Sequence, residues 1–228
     1  MIEAIEWDSD FFGYPVGKST IISENDMTSF FNTRSLSNYK LIYLFSKSQF
    51  YNPKLKLVDT KLIFKKNIKI SGDTTENSTI EFYINENEKD FTAFEELAYL
   101  SGKYSRFKID SNFINNEFKN LYQKWVLGYR DDNKNIIFKR INNIIAGFVL
   151  FSIDKETINI ELISVSENFQ GKGIATELIK EIELIGNKNS CKNIQVITQG
   201  NNIPAVNLYK KNKFNLIDTN IIYHYWNI

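Results

Sequence analysis

Between Ile158 and Ile185 the hydrophobic rhythm of the chain changes across a glycine loop, and few arrangements accommodate that change. A β-rich stretch, Ile158 to Val165, leads into Gln170-Gly171-Lys172-Gly173-Ile174-Ala175, after which Ile174, Leu178, Ile182 and Ile185 recur at helical spacing. The helix aims its unpaired N–H groups and partial positive charge back at the turn, while the two glycines let backbone approach an anion without an intervening Cβ. Such a loop predicts a pyrophosphate site that needs no arginine clamp. Two other phosphate loops are excluded. The dinucleotide fingerprint requires a third glycine where Thr176 stands, and the nucleoside-triphosphate loop requires Ser or Thr where Gly173 follows Lys172. A glycine turn used only for packing is the bland alternative, and it weakens once the flanking elements are read.

Upstream, Ile136 to Ile141, Ile144 to Phe151 and Thr157 to Val165 read as three consecutive strands, the first two joined by a tight turn at Asn142-Asn143. Earlier still, Thr79 to Ile84 alternates like a strand, Glu88 to Leu100 carries Phe91, Phe94 and Ala98 at helical spacing, and Phe118, Leu121, Tyr122 and Trp125 form one apolar stripe. Downstream, the glycine-loop helix is expected to end near Gly186-Asn187. Ile194 to Thr198 reads as a strand, Asn202 to Lys211 as a helix with Pro204 in its first turn, and Phe214 to Trp226 as a last strand or pair of strands. Short strands are also read at Leu41 to Phe45 and Leu62 to Phe64, and the polar run from Asn67 to Thr79 suggests a boundary. The expected organisation is a smaller α/β domain over residues 1–75 that contributes to an acceptor site, followed by an α/β (α+β) domain with a mixed, mostly antiparallel central sheet over residues 76–228.

Composition narrows the function classes. With 43% apolar residues among 228, the chain has enough material for a substantial core. A net charge of +1 argues against a nucleic-acid partner. Charge is nonetheless uneven, since acids dominate residues 73–96 and Lys and Arg dominate 103–140; solvated helix faces or a basic wall for a phosphorylated substrate would each explain this. The single cysteine, Cys191, cannot form an internal disulfide and reads as a small core residue. One cysteine and one histidine offer no metal-ligand cluster, so no metal is expected. The longest apolar run, Ile144 to Phe151, is too short to span a bilayer, and the N-terminus is acidic without an apolar core. A cytoplasmic protein with no membrane partner is expected, and nothing opposes a homodimer.

The strand, the Gln-x-x-Gly-x-Ala loop and the helix together resemble the coenzyme A pyrophosphate loop of the GCN5-related N-acetyltransferases (GNAT). A second segment, Asn202-Ile203-Pro204-Ala205-Val206-Asn207-Leu208-Tyr209 with Phe214, is similar to the Asn-x-x-Ala-x-x-Leu-Tyr-x-x-x-Gly-Phe signature of the same family. The resemblance implies a GNAT fold, with acetyl-CoA as co-substrate held by Ile163, Ser164 and Val165 of the preceding strand, by Gln170, Gly171, Lys172, Gly173, Ile174 and Ala175 of the loop, and by Asn202 and Asn207. It implies that the strand splays from its neighbour, leaving backbone groups for the pantetheine amides. It also implies that Tyr209 protonates the departing thiolate. Phenol and thiol pKa values of about 10 and about 8.5 make that transfer reasonable. Where the family has glycine before the phenylalanine this chain has Lys213, which leaves Asn212 to take the left-handed conformation or the helix to end differently.

A general base is less marked. Glu161 lies on the right strand and could take the amine proton directly or through water, or could simply face solvent. His224 could border the acceptor pocket or pack near the C-terminus. For the acceptor, Trp7-Asp8-Ser9-Asp10-Phe11-Phe12-Gly13-Tyr14-Pro15-Val16 is similar to the opening of the TDP-fucosamine acetyltransferases, which acylate the amine of a TDP-linked 4-amino-4,6-dideoxy-galactose. Ser101 to Phe107, and Tyr122 with Trp125, resemble further segments of that branch. A nucleotide sugar needs cations for its diphosphate and an aromatic platform for its base, and Lys103, Tyr104 and Arg106 supply both kinds of group. The expected activity is N-acetyl transfer from acetyl-CoA to a nucleotide-linked amino sugar by direct attack in a ternary complex. A protein N-terminus or other small amine, or a catalytically silent coenzyme-binding module, are the alternatives.

Overall fold

The computed structural model describes residues 1–68, 79–83, 88–131 and 135–228. Most of the polar run after Asn67, and the boundary expected between residues 75 and 76, lie outside the described residues. The elements, in order, are β1 (Glu3–Ala4), α1 (Glu6–Phe12), β2 (Val16–Thr20), α2 (Glu24–Phe31), β3 (Leu41–Ser46), β4 (Leu55–Asn67), β5 (Ile80–Phe82), α3 (Glu88–Ser101), α4 (Arg106–Ile109), α5 (Glu117–Asp131), β6 (Asn135–Ile141), β7 (Ile144–Asp154), β8 (Thr157–Val165), α6 (Ile174–Lys188), β9 (Asn193–Gln199), α7 (Ile203–Lys211) and β10 (Asn215–Trp226). Strand pairs are mostly antiparallel, giving the mixed α/β class that the strand and helix patterns imply. Contacts divide the chain into two units, one of Met1–Leu62, Gln199–Asn201 and Asp218–Ile228, the other of Ile63–Thr198 and Asn202–Ile217. The first unit thus includes both ends of the chain.

In the first unit β1 pairs antiparallel with β2, β2 parallel with β3, and β3 antiparallel with β10. Helix α2 starts at a capping box in which Ser23 and Asp26 satisfy each other's backbone N–H groups. Its buried Met27 and Phe30 join Ile42 and Leu44 of β3 and Tyr223 of β10 in one apolar cluster. Burying each such side chain contributes about 1.5–3 kcal/mol.

The second unit carries the order β5-β6-β7-β8-β9. Asn142 and Asn143 both have positive φ, 50° and 63°, the geometry of the tight hairpin that their side chains tolerate. Strand β7 is buried along most of its length because α3 and α5 contribute to a cluster with Phe148, Leu150 and Leu162 while α6 also packs on β7 and β8. This accounts for a continuous apolar run where alternation would mark a half-exposed strand.

Two boundaries differ from expectation. Helix α6 does not stop at Gly186 but runs through it to Lys188, and a Cβ at Gly186 would lie 2.4 Å from Ile68 Cδ1. That glycine serves close packing, and the left-handed residue past the helix is Ser190, at φ 56°. Leu62 to Phe64 is a fragment of the 13-residue β4. The stretch after Phe214, read as one strand or a pair, is the single strand β10.

Candidate active site

Strand β8 enters a 3-10 turn at Glu167–Phe169, and the chain then passes through Gly171 (φ 75°) and Gly173 (φ 86°) into α6. Both glycines stand where a Cβ would meet nothing within 4 Å, so backbone conformation rather than crowding requires them. Five successive backbone N–H groups, from Gly171 to Ala175, donate to no other group among the described residues. The next two, of Thr176 and Glu177, return to the Gly173 carbonyl. Unpaired donors leading into a 15-residue helix form a cradle for a polyanion. The donor set therefore fits the pyrophosphate of coenzyme A. Lys172 folds back, its Nζ donating to the Asn168 carbonyl at 3.0 Å and lying 5.1 Å from the Phe169 ring centre. Gln170 Nε2 donates to the Val165 carbonyl at 3.0 Å, tying the loop to the end of β8. Ile174 is buried and Ala175 half-buried in the first turn of the helix.

The parallel pairing of β8 with β9 runs from Thr157↔Asn193 to Ile160↔Val196 and ends there. On the side away from β7, Glu161 to Val165 have no strand partner among the described residues, which leaves the edge of Ile163, Ser164 and Val165 able to accept an extended amide chain. On the β7 side, Leu150 pairs with Leu162 and Phe151 with Ile160, so Glu161 is the extra residue of a β-bulge. Its Oε1 accepts a hydrogen bond of 2.9 Å from Ser152 Oγ.

Helix α7 begins at Asn202, whose side chain accepts from the Ala205 N–H at 3.3 Å, so one amide oxygen of the expected coenzyme contact caps its own helix. Asn207 is exposed on the same helix. At its end the Phe214 N–H bonds to the Tyr209 carbonyl and the Lys213 N–H to that of Lys210, each at 3.0 Å, with the Tyr209 and Phe214 rings 5.7 Å apart. These are the two hydrogen bonds and the apolar contact of a Schellman motif. The left-handed residue is Lys213, φ 63°, whereas Asn212 keeps φ −87°; the position at which the signature has glycine demands that conformation. Asn212 instead donates to the Leu208 carbonyl at 2.8 Å and to Thr176 Oγ1 at 3.4 Å, linking α7 to the first turn of α6. Tyr209 is 2% exposed between Phe64 and Phe214. Burial pushes its phenol well above the ordinary value of 10, so it is protonated across the neutral range.

Of the acceptor-side candidates, Lys103 and Tyr104 lie on the turn between α3 and α4, and Arg106 opens α4. Lys103 Nζ sits 5.1 Å from the Tyr104 ring centre and the Arg106 guanidinium 4.7 Å from that of Phe107. Gly102 anchors this turn, since a Cβ there would lie 2.5 Å from Tyr122 Cζ and 2.7 Å from Phe118 Cε2. His224 belongs to the first unit and is fully buried, its ring 5.1 Å from that of Tyr43, so it presents no face to solvent. Cys191 is buried. Among the described residues no group of three or more His, Cys, Asp or Glu could hold a metal ion, and no helix is long and apolar enough to cross a membrane. Sequence reading missed Gly147, opposite Val165, where a Cβ would lie 2.9 Å from the Ser164 carbonyl and 3.2 Å from Ile174 Cγ2. A glycine inside an otherwise apolar strand is the signal that could have found it.

Strand β8 parts from β9 after Ile160, the loop offers N–H donors unpaired among the described residues, and α7 carries a neutral phenol, an arrangement that fits a coenzyme with an acyl group on a long amide arm. A family-model comparison matches residues 85–214 to the acetyltransferase (GNAT) family, and the chain belongs to that family. It is an acetyl-CoA-dependent acyltransferase. Among solved structures it is similar to a functionally unknown conserved protein from Staphylococcus epidermidis, at 12% identity over 94% of this chain and 85% of that one, with a TM-score of 0.64. It is also similar to an acetyltransferase from the GNAT family from Colwellia psychrerythraea, at 13% identity over 88% and 69%, TM-score 0.55. A GCN5-related N-acetyltransferase from Sphaerobacter thermophilus matches at 10% identity over 81% and 59%, TM-score 0.55. At these identities the likenesses bear on fold alone. A comparison with curated proteins found no match.

Proposed function

We propose that this acetyltransferase moves the acetyl group of acetyl-CoA to the amine of a nucleotide-linked amino sugar of the TDP-4-amino-4,6-dideoxyhexose type, in one ternary complex. The observation that carries the coenzyme side is the run of five undonated N–H groups from Gly171 to Ala175 beside the unpaired edge of β8. In this reading the loop holds the pyrophosphate, Ile163 to Val165 hold the pantetheine amides by their backbone, and the side chains of Asn202 and Asn207 flank the arm. Glu161 takes a proton from the substrate ammonium, and the freed lone pair forms the C–N bond at the acetyl carbon. As the C–S bond breaks, Tyr209 gives its phenolic proton to the sulfur, and the nitrogen releases its second proton through solvent, which returns one to the Tyr209 oxygen and leaves a neutral amide. A phenol kept neutral by burial is in the state this step requires.

The acceptor assignment is supported by the pairing of cations with aromatic faces at Lys103–Tyr104 and Arg106–Phe107, together with the resemblance of residues 7–16 and 101–107 to the TDP-fucosamine branch. Cations suit a diphosphate and rings suit a base. Arg106→Ala is expected to raise the KM for the sugar nucleotide at least tenfold, about 1.4 kcal/mol, while leaving that for acetyl-CoA within about twofold. The difference should shrink at high salt, because charge pairing is screened. Equal loss for both substrates would count against this acceptor.

A further inference from the structure

The first turn of α6 supplies N–H groups to the phosphate cradle, and the same turn carries a carboxylate that works against them. That carboxylate is Glu177. Helical side chains lean toward the helix N-terminus, so it is directed back over the turn that follows Gly173. A negative charge there suits the helix dipole by itself but repels an anion brought to the same end. Lys139 of β6 resolves the conflict. It pairs in register with Gly147 of β7, which pairs with Val165 of β8, and this is the sheet face on which a Cβ at Gly147 would meet Ile174 of α6. Its Nζ forms an ion pair with Glu177 Oε2, the lysine side chain being 16% exposed and the glutamate 42%. The neighbouring cations are otherwise engaged, Arg140 with Asp90 and Glu81, and Lys172 with the Asn168 carbonyl. Apolar burial, rather than this pair, holds α6 on the sheet, since Leu178, Ile179 and Ile182 are fully buried and Asn212 of α7 donates to Thr176 at 3.4 Å.

We propose that Lys139 sets the affinity for the coenzyme through Glu177, cancelling a carboxylate whose charge would otherwise oppose the coenzyme's phosphates. The proposal rests on the reading of Gly171 to Ala175 as the phosphate cradle. Coenzyme A brings a pyrophosphate and a ribose phosphate, so a single charge at this end of α6 is felt strongly, and a partly buried pair is screened less by salt than an exposed one. Without the ammonium, Glu177 faces the phosphates as a net negative charge. Without the carboxylate, Lys139 faces them as a net positive one. The two substitutions therefore move coenzyme affinity in opposite directions, whereas a pair that only braced the helix would give a loss in both.

The test is titration calorimetry of the full chain with coenzyme A and, by displacement, with pantetheine, which has the same amide arm and no phosphate. Lys139→Met keeps the apolar stem and should raise the coenzyme A dissociation constant about fivefold or more, while Glu177→Gln should lower it about twofold or more. The double variant should return to within about twofold of the parent, and Lys139→Arg should hold the parent value. Each difference should shrink at high salt and be absent for pantetheine. Weaker coenzyme binding in both single variants, or a pantetheine loss equal to that of coenzyme A, would show that the pair braces the helix and would overturn the proposal. If circular dichroism shows Lys139→Met to be unfolded, Glu177→Gln decides alone, because tighter binding supports the proposal and unchanged or weaker binding overturns it. A parent chain that bound pantetheine as tightly as coenzyme A would instead overturn the cradle reading on which it rests.

Discussion

Lys213 occupies a backbone conformation that a non-glycine residue adopts at a cost of roughly 1–2 kcal/mol, and it does so to close the Schellman turn that holds Tyr209 against Phe214. Lys213→Gly should therefore stabilise the protein by about 1 kcal/mol in urea unfolding, a little of the gain being lost to the greater freedom of the unfolded chain. A destabilised variant would show that the lysine side chain makes a contact worth more than the strain. Tyr209 itself tests the chemistry. Tyr209→Phe keeps the ring in its pocket and removes the hydroxyl, so coenzyme affinity should hold while kcat falls on the order of 10²-fold. A fall of less than about threefold would mean that water or another group protonates the thiolate. The tyrosine, asparagine and glycine positions were legible because their spacing is local to one helix and one loop. Which residue would replace the missing glycine was not, since Asn212 tolerates the left-handed region well yet is drawn into hydrogen bonds with Leu208 and Thr176 from an adjacent element.

At the scale of elements, the loop and helix α6 act as one device. Gly173→Ala meets no steric neighbour, so any effect arises from a backbone held at φ 86°; the substitution should shift the cradle and raise the coenzyme A dissociation constant tenfold or more, about 1.4 kcal/mol by titration calorimetry. Unchanged affinity in a folded variant would remove the loop from the coenzyme site. The turn after α3 behaves oppositely, being crowded rather than open. Gly102→Ala drives a Cβ into the rings of Tyr122 and Phe118 and should cost about 1–3 kcal/mol of stability, with a weaker apparent affinity for the sugar nucleotide as Lys103 and Arg106 shift. The three strands before the loop were readable from β-branched runs and the Asn142-Asn143 turn. The bulge at Glu161 was not, because nothing in Ile160-Glu161-Leu162 reveals that β7 skips a residue. Gly186 was misread as a stop for the same reason: its partner is Ile68, more than a hundred positions away in the chain.

For the molecule as a whole, two buried phenols set an alkaline limit. Tyr129 and Tyr209 both have folded pKa values raised above 10, so the unfolded chain loses their protons first as pH climbs past 10. Over that window the folded state binds more protons than the unfolded one, and stability must fall with rising pH, while below it these groups contribute no slope. Urea unfolding at pH 9 and pH 11 should show the loss, and Tyr209→Phe should reduce it. The central claim, acetyl transfer from coenzyme A to a nucleotide-linked sugar amine, is tested most directly by mass spectrometry. The enzyme is incubated with acetyl-CoA and, in parallel, TDP-4-amino-4,6-dideoxy-galactose, the free amino sugar and a peptide with an open N-terminus. The expected result is a sugar nucleotide heavier by one acetyl group, formed with an equal amount of free thiol and far faster than either other product. Efficient acetylation of the free sugar or the peptide, with the sugar nucleotide left unmodified, would contradict it.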